Sequence, residues 1–210
     1  MRRAFILCGL LMFVGAAACA HRADAHGEVQ TEVTEDQVRC PNLSGDFAGT
    51  GRLLRGDSTQ QIGARLPADF VFPIGDSEAW SAMRSRYRRD DHGIIVPPDV
   101  VRVTPSGKSQ YLIATFYGDM EIGAYTSRNA GKTQSTCRAG VQYRTYGKES
   151  TRSDYGPNDV TTDDALRIDA DGDLIFRRNM SVEYHALLLN LPMGTGHFFE
   201  EYRFRRVSRR

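Results

Sequence analysis

The sequence predicts a mainly β protein: an antiparallel sheet that is strongly curved or closed into a barrel, with one short helix at residues 77–89. From Cys40 onward, apolar and polar residues alternate with a period of two, which is the pattern of half-buried strands. Only residues 77–89 of this region show good helical spacing. The 210 residues are 40% hydrophobic and 25% charged, as in globular proteins, and the net charge of +1 gives no basic field for nucleic acid.

The chain begins with the pattern of an export leader. Residues 1–3 (Met-Arg-Arg) are cationic, residues 4–15 form an unbroken apolar run, and residues 16–18 are alanines. This order is typical of a secretory signal peptide. The uncharged stretch 4–20 is shorter than the roughly 20 apolar residues of a membrane-spanning helix. Residues 1–18 are therefore expected to be a signal peptide.

The small residues before Cys19 resemble the lipobox of bacterial lipoproteins. In that family the cysteine becomes the mature N-terminus and carries acyl chains; Ala16 stands where leucine is usual. The resemblance implies lipidation of Cys19, and Ala20 implies the outer membrane of the bacterial cell envelope, facing the periplasm or the cell surface. The alternative is ordinary cleavage after an Ala-x-Ala site at residues 18–20 or 23–25, which would give a periplasmic or secreted protein.

Residues 19–39 have the composition of a tether. They contain only isolated apolar residues and carry five acidic side chains. Such a stretch buries too little apolar surface to offset the entropy of ordering it. As a random coil it would span roughly 25 Å. The predicted organisation is therefore a lipidated cysteine and flexible tether at 19–39, followed by a single antiparallel β domain at 40–210.

Cys40 and Cys137 are the cysteines that remain after the leader and the lipidation site. In an exported protein, two such cysteines favour one disulfide, and two free buried thiols are the alternative. No Cys-x-x-Cys motif or cluster of histidine and cysteine indicates a zinc site. The sequence predicts no metal and no cofactor.

The elements follow from local patterns. Residues 46–54 are expected to form the first strand, and 69–74 form a second short apolar run. Asp76 or Ser77 can cap the helix, in which Trp80 and Met83 share a face with Tyr87. Strands are then predicted at 100–104, 108–117, 120–126 and 137–146. In the last of these, Cys137, Val141 and Tyr143 are expected on one face and Arg144 on the other.

The C-terminal residues predict a three-stranded meander with the even-numbered side chains on its apolar face. A three-residue loop ending at Gly172 would pair Ile168 with Leu174, and a hairpin centred on Met193 would pair Tyr184 with Tyr202. The middle strand, 173–189, would measure about 55 Å if straight, so a bend is expected at 177–179. The residues that would line an interior or form the core are Leu166, Ile168, Leu174, Phe176, Val182, Tyr184, Leu188, Phe198, Tyr202 and Phe204.

Two short segments resemble the ends of lipocalin-type barrels. They are residues 43–47 (Leu-Ser-Gly-Asp-Phe), before the first strand, and residues 202–205 (Tyr-Arg-Phe-Arg), in the last. In that family a Gly-x-Trp motif of the first strand stacks on an arginine of the last strand, and here Phe47 takes the place of the tryptophan. The resemblance implies a closed barrel, and a barrel lined by aromatic and aliphatic side chains would carry a small apolar ligand.

Catalytic and metal-binding patterns are weak. The seven aspartates between residues 154 and 173 lack the EF-hand order, which favours solvated turns over calcium. His185 and His197 lie near glutamates, but the predicted pairing does not bring them together. No catalytic residue is assigned. An envelope hydrolase that uses His92 or His197 with nearby carboxylates is a minor alternative.

Leu187, Leu189, Leu191 and Phe199 place apolar side chains on the otherwise polar outer face. Either the helix covers them or they form a contact patch.

The sequence therefore predicts an exported, membrane-anchored lipoprotein with a binding or envelope-structural role, and a lipocalin-like carrier is the main alternative. The expected partners are the membrane, through an N-terminal lipid, and a small apolar ligand or an envelope protein, but not nucleic acid. Enzymatic activity is left open and not favoured.

Overall fold

Two antiparallel sheets make up most of the computed structural model, which describes residues 40–56, 65–107, 110–129, 133–153, 156–185 and 192–208. The strands are β1 (Gly45–Ala48), β2 (Thr50–Gly56), β3 (Arg65–Pro67), β4 (Val100–Gly107), β5 (Gln110–Tyr117), β6 (Met120–Ser127), β7 (Gln134–Arg138), β8 (Val141–Thr145), β9 (Glu149–Ser153), β10 (Gly156–Ile168), β11 (Leu174–His185) and β12 (Pro192–Phe204). The smaller sheet has the order β1-β4-β5-β6, and the larger β3-β2-β12-β11-β10-β8-β7, with β9 on β10. The predicted class, mainly β and antiparallel with one helix, is confirmed. In the described residues both sheets are open rather than closed into a barrel.

The predicted first strand, 46–54, is two strands in different sheets. Phe47 on β1 pairs with Val101 of the smaller sheet, and Arg52 on β2 pairs with Arg203 of the larger. The chain changes sheets at Gly49, where a Cβ atom would lie only 1.7 Å from the carbonyl oxygen of Pro98. Only glycine fits so close a backbone approach.

Helix α1 (Ser77–Ser85) begins as predicted but ends four residues earlier than residue 89. The Asp76 carboxylate caps it by accepting from the Ala79 amide at 2.9 Å. After the helix the chain folds back on itself, with Arg89 bridged to Ile95, and this tight reversal replaces the last predicted turn. Met83 is buried against Gly123, so the helix packs on β6.

The apolar run at 69–74 is not a strand. Its first two residues belong to a 3₁₀ turn at Ala68–Phe70, in which Asp69 is fully buried and binds the Arg84 guanidinium at 3.0 Å. Burial raises the pKa of Asp69 despite this ion pair. The Arg84 guanidinium also lies over the rings of Phe70 and Trp80, at 4.4 and 5.1 Å from their centroids. These contacts fix the loop to α1.

The predicted strand 137–146 is a hairpin, β7 and β8, that turns at Ala139–Gly140. Both turn residues have positive φ, 49° and 70°, which matches the twist that tight hairpins prefer. The two-residue turn places Cys137 opposite Gln142, so the side chains after the turn change faces. The expected faces of β8 were therefore wrong: Arg144 is buried, whereas Tyr143 is 43% exposed.

The first hairpin of the meander has the predicted register, with Ile168 opposite Leu174 and Gly172 at φ 84°. The predicted second register is wrong: Phe198 lies opposite Met180 rather than Leu188, and Tyr202 lies opposite Phe176 rather than Tyr184. The reason is that Gly194 and Gly196 belong to β12, so the connection falls earlier, at 186–191. The displacement is an even number of residues, which leaves each side chain on its predicted face. The strand β11 runs through 177–179 without a register break, and the irregularity lies at Tyr184/His185.

The core lies between the inner faces of the two sheets. Its central side chains are fully buried: Leu43, Phe47, Val101, Ile113, Tyr125, Leu166, Leu174, Phe176, Tyr202 and Phe204. A disulfide joins Cys40 to Cys137 on β7, as predicted, across 97 residues of sequence. It attaches the start of the described chain to the edge strand of the larger sheet.

Candidate functional site

Four charged residues cross the inner face of the larger sheet in one row. The opposed pairs are Arg144–Asp164, Asp164–Arg178 and Arg178–Glu200, on β8, β10, β11 and β12. The signs alternate along the row, which is the favourable order for cross-strand neighbours. We call these four residues the charge row. The charge row was not predicted from the sequence. The predicted register of β10 and β11, which is correct, already places Asp164 opposite Arg178.

Asp164 and Arg178 form the central ion pair of the charge row. The arginine Nε donates to Oδ1 at 2.8 Å and Nη2 donates to Oδ2 at 3.0 Å, while the Tyr146 hydroxyl donates to Oδ2 at 2.8 Å. Burial raises the pKa of Tyr146 to about 12, so the hydroxyl keeps its proton at neutral pH. Because three donors occupy a carboxylate that is 1% exposed, the arrangement suits recognition and positioning better than proton transfer.

Arg144, at the end of the charge row, is buried with few partners. Its Nη2 donates to the Val71 carbonyl at 2.6 Å, but Nε and Nη1 have no hydrogen-bond partner among the described residues. Burial lowers the pKa of this guanidinium. An incompletely bonded buried charge is costly, and the carboxylate of Asp164, directly opposite on β10, partly compensates it.

Beyond the charge row, on the side away from the core, the inner face becomes apolar and more open. Its side chains are at least partly buried but not packed into the core; we call Val160, Met180, Val182, Tyr184 and Phe198 the inner strip. A cavity of about 170 Å³ lies where the strip meets the charge row, lined by Tyr146, Gly147, Glu149, Val160, Thr162 and Arg178. An apolar group can lie along the strip with a polar end at Tyr146 and Arg178, which is the usual composition of a small-molecule site.

The ten residues predicted to line an interior fall into two groups. Five are at most 1% exposed and fill the core: Leu166, Leu174, Phe176, Tyr202 and Phe204. Ile168 is partly buried and packs against this core. Val182, Tyr184 and Phe198 belong to the inner strip, and Leu188 lies outside the described residues. Cys19, the leader and the tether also lie outside them. Hence the charge row separates the filled half of the inner face from the open half.

The predicted contact patch can be placed only at Phe199, because Leu187, Leu189 and Leu191 lie outside the described residues. The Phe199 ring is on the outer face under the Arg177 guanidinium, 4.9 Å from it. Helix α1 packs on β6 of the smaller sheet, whereas Phe199 lies on β12 of the larger sheet, and cover of the patch by the helix stays a prediction.

The two histidines of the hydrolase alternative, His92 and His197, lie in different parts of the fold and both are exposed. His92 is exposed after the helix, where its backbone amide donates to the Asp90 carboxylate at 2.9 Å. His197 is exposed and lines an outer-face groove with Asp163 and Ser181. Neither imidazole takes part in a hydrogen bond or ion pair within the described residues, so no oriented acid–base pair is formed there.

A mixed cluster on the outer face brings Asp159, Glu183 and His185 within 4.8 Å of one another. The Lys148 ammonium binds both carboxylates, at 2.7 and 3.1 Å, and thus occupies the position that a metal cation would need. His185 was expected near glutamates, but Asp159 was not expected in the same cluster. The predicted β10–β11 register nevertheless places Asp159 opposite Glu183. The cluster is a surface ion-pair network.

No helix of the described residues is long and apolar enough to cross a bilayer. The chain matches no protein-family model, and no curated protein or solved structure is significantly similar to it.

Proposed function

We propose that this chain is an exported lipoprotein of the bacterial cell envelope, anchored through Cys19, whose β domain is a binding module. The inner strip carries the binding role, because it leaves apolar side chains partly open beside a fixed ion pair instead of closing them into the core. The order of leader, cysteine and tether supports export. The disulfide supports it as well, since such bonds persist in oxidising compartments.

The anchor is tested by labelling cells that express the full chain with radioactive palmitate. The wild-type chain and Cys19→Ala are compared, with Cys8→Ala as the matched control inside the leader. Label in the wild type and the control but not in Cys19→Ala, together with release of Cys19→Ala from the membrane fraction, supports the anchor. Equal labelling and equal fractionation of all three chains contradicts it.

The inner strip favours a second, narrower function: a carrier of a small amphipathic ligand. The 170 Å³ cavity presents apolar walls from Val160 and a guanidinium edge from Arg178. Such a site would take the end of an acyl chain or another apolar group that bears one anionic or hydrogen-bonding end. An envelope protein that inserts an apolar side chain would use the same surface.

The carrier function is tested with a fluorescent fatty acid and with native mass spectrometry of the purified protein. Successive residues of a strand point to opposite faces, so Phe198, opposite Met180, lies on the inner face and Phe199, opposite Asn179, on the outer face. Phe198→Ala should therefore weaken binding of the fatty acid about tenfold, while Phe199→Ala leaves it unchanged. A copurified mass that Phe198→Ala lacks adds support. Equal affinities of the two variants, or no binding by the wild type, overturns the carrier function.

A further inference from the structure

Three arginines stand directly beside one another on the outer face of the larger sheet. Arg65 on β3 is opposite Arg52 on β2, and Arg52 is opposite Arg203 on β12. Directly opposed residues point to the same face, and like charges in such positions destabilise a sheet. The row is therefore not explained by the stability of the fold.

The nearby carboxylates neutralise only one of these arginines. In the turn between β10 and β11, Asp171 and Asp173 each bind the Arg203 guanidinium at 2.6 Å, and Asp169 binds it at 3.3 Å. Their hydrogen bonds, above all that of Asp173, raise the pKa of Arg203. The exposed side chains of Arg52, Arg65 and Arg205 have no carboxylate partner among the described residues. Within the part of the chain that the structure describes, three guanidiniums thus remain available to an external anion.

Two of the three unpaired arginines line an open groove. The groove has a volume of about 540 Å³ and is formed by Ala48, Thr50, Arg52, Asp173, Arg203 and Arg205. A guanidinium presents its donors as a planar fork that matches the oxygens of a phosphate group. The groove is partly open to solvent, so its arginines can be reached by a phosphate that is part of a larger surface. We call it the arginine groove.

The arginine groove lies close to the point where the predicted tether joins the body. The Ala48 amide donates to the Arg205 carbonyl at 2.8 Å, and the Arg206 guanidinium donates to the Ser44 carbonyl at 3.1 Å. Ser44 follows Cys40, the first described residue, by four positions. A lipid attached through the tether would therefore keep the groove near the membrane surface.

We propose that the arginine groove binds the phosphate groups of anionic phospholipids in the membrane that holds the anchor. This inference rests on the proposed function, which supplies the tether. A basic patch is a common second signal beside a lipid anchor. Each arginine near an anionic surface strengthens binding about fivefold, so Arg52 and Arg205 of the groove together with the adjacent Arg65 contribute on the order of 100-fold.

The groove is tested with vesicles and the unlipidated body of the protein. Val33–Arg210 is one compact unit that contains both sheets, the core and the disulfide, so it is a suitable protein for this experiment. The body is floated with vesicles of phosphatidylcholine alone or mixed with phosphatidylglycerol, at low and high salt. Arg52→Gln/Arg65→Gln/Arg205→Gln is compared with Arg89→Gln/Arg138→Gln/Arg152→Gln, which removes the same charge from exposed arginines elsewhere.

We expect the wild-type body to bind the mixed vesicles, and to bind them more weakly at high salt. The affinity should fall on the order of 100-fold in the Arg52/Arg65/Arg205 variant and stay close to the wild-type value in the control variant. Equal losses in the two variants, binding that does not need phosphatidylglycerol, or no binding at all overturns the proposal. Saturation of the groove by inorganic phosphate without vesicle binding also overturns it, because the anion would then be soluble. Palmitate labelling reports on the anchor separately, so failure of one proposal does not imply failure of the other.

Discussion

At the scale of single residues, the charge row defines where the core ends. Asp164 is almost completely buried, yet it lies between two arginines, Arg144 and Arg178. A buried carboxylate in this position compensates two positive charges at once, that of the buried Arg144 and that of the partly buried Arg178. Replacing the pair by apolar residues would enlarge the core, whereas the ionic row ends it and leaves the inner strip open.

Asp164→Asn is expected to destabilise the protein strongly. The substitution removes the charge that faces both arginines, and breaking a buried ion pair from one side costs about 3–5 kcal/mol. Asp163→Asn is the matched control, because Asp163 is the exposed neighbour on the opposite face and should change stability by less than about 0.5 kcal/mol. Urea denaturation of the two variants measures the difference. Equal midpoints would mean that the charge row contributes little to folding.

At the scale of elements, the β7–β8 hairpin shows what the sequence pattern could and could not predict. The alternation of apolar residues correctly identified 137–138 and 141–145 as extended chain. It did not reveal the two-residue turn between them, after which the alternation continues with the opposite phase. The turn itself was missed because Ala139, unlike asparagine or aspartate, does not favour positive φ. The missed turn inverted the faces of β8, and Arg144 was consequently placed on the wrong side.

The β11–β12 hairpin shows a related limit. Gly194 and Gly196 looked like turn residues, but a glycine also allows side chains of neighbouring strands to pack over it. A Cβ atom on Gly196 would lie 3.0 Å from the Phe198 ring and 3.3 Å from that of Tyr184. The sequence therefore predicted the faces of the meander, which depend on parity, but not the register, which depends on the position of the turn. The Arg178–Glu200 pair of the charge row needs the β11–β12 register, so it was not visible in the sequence, whereas the Asp164–Arg178 pair follows from the correctly predicted β10–β11 register.

Ala139→Asn is expected to stabilise the hairpin. Asparagine tolerates positive φ better than alanine, and Asn-Gly is the preferred pair for this turn, so a gain of about 0.5–1 kcal/mol is expected. Ala82→Asn, in the exposed face of α1, is a control that should instead lower stability slightly. The comparison is made by thermal denaturation. A lower melting temperature for Ala139→Asn would contradict the expectation that the positive φ of Ala139 destabilises the hairpin.

At the scale of the whole molecule, buried tyrosines of both sheets make the fold sensitive to alkali. Burial raises the pKa values of Tyr111 and Tyr125 in the smaller sheet, and those of Tyr146 and Tyr202 to about 12. Unfolded tyrosine loses its proton near pH 10, while these groups keep theirs in the folded state. Their contribution is therefore complete below pH 10 and is lost as the pH rises through their folded-state pKa values, which for Tyr146 and Tyr202 are about 12.

The free energy of unfolding should accordingly fall above pH 10, by at most about 1.4 kcal/mol per pH unit for each such tyrosine. Tyr146→Phe should make this fall shallower, although it also removes a donor to Asp164 and lowers stability at neutral pH. Tyr143→Phe changes an exposed side chain on the adjacent strand and should leave the slope unchanged. Urea titrations between pH 8 and pH 11.5 measure the slopes, and identical slopes in the three proteins would refute the assignment.

The disulfide acts on the molecule as a whole because it joins the start of the body to the edge strand β7 of the larger sheet. It closes 97 residues of sequence, and in the chain-entropy model a loop of that length stabilises the fold by about 4–5 kcal/mol. Cys40→Ser/Cys137→Ser should lose this amount in urea denaturation, and a reductant should lower the stability of the wild type but not that of the double variant. Equal stability of both proteins under oxidising conditions would contradict the model. A loss of the expected size would mean that the domain reaches its full stability only where disulfides persist, which is the condition that an exported, tethered protein meets.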